Sequence, residues 1–209
     1  VGGYFGWQAW TQHVDDQAAA ASLVYQEMLD NIAGNRPGET LATQQQADIK
    51  QLAETLKQQH GGSQYAFNAA LIKAKLAVES DDLASAAIEL QWAMDNTDQT
   101  INKNIARLRL ARVEAAQDNL DTALQLVQGV DAGEMKSAFD EAKGDFYLQQ
   151  GNSAAAYTAY EAALIGVDGQ DSSARALLQL KISQVQPVAI DTVETELSQE
   201  TAEEQADPS

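Results

Sequence analysis

Four cations on one short stretch, Lys103, Arg107, Arg109 and Arg112, are the residues whose type and spacing best suit recognition chemistry. The chain has 13 Lys and Arg against 31 Asp and Glu, a formal net charge of −18, so a basic stretch within it calls for an explanation. Two are open: the cations pair with neighbouring carboxylates, each exposed pair contributing ~0–1 kcal/mol, or part of this helix faces a groove that takes a partner segment. Catalytic chemistry has less to work with. The only histidines, His13 and His60, lie in different segments without a His, Asp or Glu partner at ligand spacing, and read as helix-surface or helix-end residues. There is no cysteine, which excludes disulfides, thiolate metal sites and cysteine nucleophiles without fixing a redox compartment. No phosphate-binding glycine loop, GxSxG turn or HExxH helix occurs. Asp15-Asp16 and Asp81-Asp82 suit helix starts, where carboxylates favour the helix dipole. Neither an enzyme nor a bound cofactor or metal is expected, and an acidic surface would repel the phosphates of nucleic acid.

The elements that position these cations repeat along the chain. Asp81-Asp82-Leu83-Ala84-Ser85-Ala86 returns as Asp118-Asn119-Leu120-Asp121-Thr122-Ala123 and again as Gly151-Asn152-Ser153-Ala154-Ala155-Ala156, at spacings of 37 and 33 residues. Each block is a polar turn followed by a helix start, with alanine at the same offset. A helical hairpin cannot bury its own apolar face, and where its helices cross closely only small side chains fit. Ala86, Ala123 and Ala156 supply them on the second helices, and Ala74, Ala111 and Gly144 on the first. Leu90, Val127 and Tyr160, four residues after each alanine, would fill the space between hairpins. In the third copy Gly144, Tyr147, Gly151, Ala156, Tyr160 and Ala163 match the tetratricopeptide consensus of small, Tyr, Gly, Ala, aromatic and Ala. The first two copies are degenerate, and in all three the consensus Trp is replaced, by Ala70, Arg107 and Asp140. The spacing therefore predicts an all-α fold, an α-solenoid of tetratricopeptide-like hairpins.

Punctuation sets the remaining organisation. A helix over 7–33 should end at Gly34-Asn35-Arg36-Pro37-Gly38, and a second over 40–59 at Gly61-Gly62. Hairpins then occupy 63–98, 101–130 and 136–166. A capping helix over 173–186, with Leu177, Leu178, Leu180 and Ile182, closes the stack before Pro187. Residues 188–209 carry seven acidic residues and no basic one, and should form a disordered tail. At the other end, Tyr4, Trp7 and Trp10 recur every three residues in an apolar, glycine-containing stretch. Amphipathic rings at that spacing suit a membrane interface, so residues 1–10 read as the end of a transmembrane helix and 11–62 as an N-terminal helical pair. No Lys or Arg occurs before Arg36, which places the bulk of the chain on the non-cytoplasmic side. Residues 63–187 then hold the three hairpins and cap.

With Ala74, Ala111 and Gly144 as reference points, Leu71, Lys75 and Val78 of the first hairpin, Leu108 and Arg112 of the second and Leu148 of the third fall on the face that lines the inner surface of tetratricopeptide arrays. They are the candidate partner-binding groove.

The runs Ile105-Ala106-Arg107-Leu108-Arg109-Leu110-Ala111-Arg112-Val113 and Asp81-Asp82-Leu83-Ala84-Ser85-Ala86-Ala87-Ile88-Glu89-Leu90, with Gly6-Trp7-Gln8-Ala9-Trp10 ahead of them, resemble the YfgM family over residues 1 to 185. The acidic extension departs from that family's short ending. The resemblance implies a single-span inner-membrane protein with a periplasmic tetratricopeptide-like domain. It implies a non-enzymatic role as an ancillary subunit of the SecYEG translocon, with a PpiD-like periplasmic chaperone and client polypeptides as further partners. An alternative use of the same scaffold is to sequester a signalling protein in envelope stress.

Overall fold

Three left-handed turn residues decide where the chain doubles back. The structure, a computed structural model, describes residues 2–33, 41–169 and 171–185, with side chains from residue 16 onward. Asp81 (φ 59°), Asp118 (φ 66°) and Gly151 (φ 77°) occupy the same position of the three repeated blocks, each just past the end of a first helix. In all three the following residue's N–H returns to the helix it has left: Asp82 to the Ala77 carbonyl, Asn119 to Glu114 and Asn152 to Tyr147. These six-to-one hydrogen bonds satisfy carbonyls that the helix end would otherwise orphan. The next helix starts at once, capped by the Asp82 carboxylate accepting from Ser85 N–H and by Asn152 Oδ1 accepting from Ala155 N–H.

The helices joined in this way are α1 (Gly2–Ala33), α2 (Thr43–Gln59), α3 (Gln64–Glu79), α4 (Leu83–Asp95), α5 (Thr100–Ala116), α6 (Leu120–Val127), α7 (Lys136–Gln149), α8 (Ser153–Ile165) and α9 (Ser172–Val185). Each packs on its successor, giving an all-α stack of antiparallel hairpins, α3–α4, α5–α6 and α7–α8, with α1 and α2 at one end and α9 against α8 at the other. This is a tetratricopeptide-like solenoid.

The small residues lie where the hairpin geometry needs them. Ala74, Ala86, Ala111, Ala123, Gly144 and Ala156 are all buried, as are Leu90, Val127 and Tyr160. Gly144 is the tightest case: a Cβ built on it would stand 2.3 Å from the Tyr160 ring, inside any van der Waals contact.

Two details differ from the sequence expectation. Helix α6 ends at Val127 instead of reaching residue 130, and Gly129 (φ 65°) leads into a single 3₁₀ turn, Gly133–Met135, ahead of α7. On α9, Leu178 and Val185 are buried and Ile182 partly so, but Leu177 and Leu180 point to solvent. The cap seals the stack with one narrow stripe, Leu178, Ile182 and Val185.

The Tyr4, Trp7 and Trp10 side chains, the turn at 34–38 and the acidic segment 188–209 lie outside the described residues. Among the described residues no helix is long and apolar enough to cross a membrane.

Two glycine substitutions separate the forces at work. Gly144→Ala would gain about 1 kcal/mol in an unpacked helix; here overpacking against Tyr160, at roughly 1–3 kcal/mol, should lower the urea-unfolding midpoint. Gly151→Ala meets no atom within 4 Å. It should nonetheless destabilise, by about 1–2 kcal/mol, through its left-handed backbone alone.

Candidate functional site

A cleft of about 560 Å³ opens between α3 and α5, the first helices of adjacent hairpins. Its walls follow from helical spacing: Leu71, Lys75 and Val78 project from successive turns of α3, and Arg109, Arg112 and Val113 from α5. Buried Ala74, Leu90 and Val113 form the base, with Leu90 contributed by α4. The rim is charged. Lys75 reaches Glu79 at 3.5 Å, an exposed pair of little energetic weight.

Arg109 and Arg112 are exposed, and among the described residues neither has a carboxylate within 4.0 Å. The same holds for Lys103 and for Arg107, which donates only to Asn104 Oδ1 at 3.3 Å. Ion pairing therefore does not explain the cations of α5 within the described residues. Two of the four face an apolar cleft.

The wall formed by α3 is fixed from behind by a partly buried ion network centred on Glu89. Lys73 donates to Glu54 of α2 and lies 2.5 Å from Glu89 of α4, while Lys57 reaches Glu89 at 2.7 Å and Glu54 at 3.3 Å. The Lys57 ammonium also sits 4.9 Å from the centre of the Trp92 ring. Burial pushes Lys73 down, but the hydrogen bonds it donates to Glu54 and Glu89 outweigh it and hold it above its ordinary value. The hydrogen bond from Lys73 is the main cause holding Glu54 below its ordinary 4.5.

Comparable ties brace the far end. Lys181 of α9 donates to Glu141 and Asp145 of α7, each at 2.7 Å, and Tyr160 of α8 donates to Asp145 at 2.8 Å. Asp140 stands where the repeat consensus places Trp. It is 4% exposed, and burial pushes its carboxyl up, but hydrogen bonds from Lys136 and Lys143 prevail and hold it below 3.8.

Leu71, Lys75, Val78 and Arg112 thus come together in the cleft. Leu108 does not: it is 4% exposed, in a core cluster with Phe139 and Phe146 of α7. Helix α7 packs onto α5 and closes the groove over Leu108, whereas α3 and α5 lack such packing and leave it open. Leu148 is exposed near the C-terminal end of α7, outside the cleft. Ile72, Ala74, Glu79, Leu90, Arg109 and Val113 also line the cleft, beyond the expected groove residues; Arg109, Arg112 and Val113 carry a detectable signal, a three-four spacing that faces the ridge of α3. His60 ends α2 partly buried, and the His13 side chain lies outside the described residues. Among the described residues no group of three or more His, Asp or Glu is placed to hold a metal.

A family described as "Tetratricopeptide repeat-like domain" matches residues 1–187. The chain is 32% identical over 165 residues to an "Ancillary SecYEG translocon subunit" of Aggregatibacter actinomycetemcomitans, covering 78% of this chain and 74% of the relative. Relatives with the same name from Haemophilus influenzae (28%, 78% and 75%) and Escherichia coli K12 (28%, 88% and 82%) also match. No solved structure matches the chain.

The network predicts an acid response. Carboxyls depressed on folding contribute stability that is complete above their ordinary values, 4.5 for Glu54 and 3.8 for Asp140, and is lost as pH falls through the folded values. Urea midpoints should drop between about pH 5 and about pH 2, and less steeply in Glu54→Gln. Glu89→Gln, which leaves two partly buried lysines short of a carboxylate, should cost about 1–3 kcal/mol at neutral pH.

Proposed function

Because the chain belongs to the tetratricopeptide-repeat-like family of ancillary SecYEG translocon subunits, we propose that it is a non-enzymatic scaffold at the translocon, whose α3–α5 cleft holds segments of translocon and chaperone partners. The observation that carries this reading is the cleft itself: an apolar base framed by two guanidinium groups that no described carboxylate neutralises. An aliphatic base tolerates varied side chains, and guanidinium groups on the rim fix orientation through carboxylates or backbone carbonyls. Such a site suits weak, exchangeable binding of extended or helical segments. It would assist the biogenesis of secreted and envelope proteins by keeping a PpiD-like chaperone, and emerging clients, near the translocon exit.

In this reading residues 1–10 are the end of a single inner-membrane helix with Tyr4, Trp7 and Trp10 at the interface. Residues 11–62 form the spacer pair and 63–187 the periplasmic scaffold. The fold supports that division of labour, since α1 and α2 stack on the hairpin array at the end opposite α9 and, among the described elements, leave the α3–α5 face uncovered.

Photo-crosslinking in cells tests the proposal. A photoreactive residue at Lys75 or Val78 should yield adducts with translocon subunits or the chaperone, diminished by Arg112→Glu. A matched probe at Ile88, exposed on α4 and outside the cleft, should not. Equal adducts from Ile88, or cleft adducts with a cytosolic-facing or signalling protein alone, would overturn it.

A further inference from the structure

We propose that the α3–α5 cleft is also the docking site of the chain's own C-terminal segment, residues 188–209, which occupies it when no partner is bound. The charges are complementary. The segment bears Asp191, Glu194, Glu196, Glu200, Glu203, Glu204 and Asp207 and no basic residue, interleaved in its first half with Val188, Ile190, Val193 and Leu197. Arg109 and Arg112 supply two exposed guanidiniums beside an apolar base, a pairing in which carboxylates accept charge-assisted hydrogen bonds while the aliphatic side chains lose water.

The rest of the molecule offers this segment less. Lys57, Lys73, Lys75, Lys136, Lys143 and Lys181 are already engaged by carboxylates, and the remaining described cations, Lys50, Lys103, Arg107 and Arg175, lie outside the apolar cleft. Reach is adequate. The last described residue, Val185, ends α9, and a strand of two dozen residues can extend about 80 Å. The cleft lies a few helices along the stack, at about 8–10 Å for each packed neighbour. A tethered ligand acts at roughly millimolar effective concentration, so even a weak contact is populated. A partner segment would then have to displace an internal competitor of similar chemistry, which makes capture selective for segments richer in apolar contacts than the tail.

This inference does not require any particular partner, and its test uses the purified full-length chain alone. Benzoylphenylalanine replaces Val78, which is 45% exposed on the cleft wall. The irradiated monomer is then mapped by mass spectrometry. The expected result is an intramolecular adduct within residues 188–209, reduced about tenfold by Arg109→Glu with Arg112→Glu, a loss of ~1.4 kcal/mol of docking energy. Raising NaCl to roughly 0.5 M should reduce it in the parent chain too, because exposed charge pairs are screened. Circular dichroism checks that the double variant remains helical, and the salt titration decides the matter if it does not. An adduct confined to the hairpins, one found only between two copies of the chain, or a tail adduct indifferent to both charge reversal and salt would overturn the proposal.

Discussion

The close approach of α7 and α8 sets the geometry on which the rest depends. A methyl group at Gly144 would lie 2.3 Å from the Tyr160 ring, so this crossing tolerates no side chain at all. The earlier hairpins relax the rule by one atom, burying Ala74 with Ala86 and Ala111 with Ala123. Drawing helices together at small residues leaves the larger side chains, Leu90, Val127 and Tyr160, to fill the next interval along the stack. Where that filling is complete, as between α5 and α7, the inner surface closes over Leu108. Between α3 and α5 it is incomplete, and a cleft remains.

Three lysines act as ties between helices: Lys57 and Lys73 bind α2, α3 and α4 into one unit, and Lys181 holds α9 to α7. The arginines of α5 make no such ties. A planar guanidinium that stays charged and weakly hydrated suits recognition of carboxylates at a surface. In a chain of net charge −18, such groups left without a described carboxylate stand out from their surroundings.

Much of this was legible because the constraints are local. The turn blocks predicted hairpins, since a left-handed residue followed by a cap dictates a reversal within a few positions, and Asp81, Asp118 and Gly151 share a left-handed φ although two are aspartates and one is glycine. The buried alanines were legible through their repeated offset. Leu108 was not, because its repeat position is equivalent to that of Leu71 and only the fit of Phe139 and Phe146 from the next hairpin decides that it is covered. Likewise Asp140, at a consensus Trp position, is buried among Lys136 and Lys143 of its own helix. A repeat consensus records which positions face inward, not how neighbouring side chains fill them.

The central claim is that the α3–α5 cleft is the surface engaged at the translocon, and hydrogen–deuterium exchange of the full-length chain with and without purified translocon in lipid vesicles tests it most directly. The account predicts added protection in residues 71–79 and 109–113, the two walls of the cleft, with α8 unchanged. Protection confined to α1 and α2, or to α8 and α9, with both cleft walls exchanging as in the free chain, would contradict it.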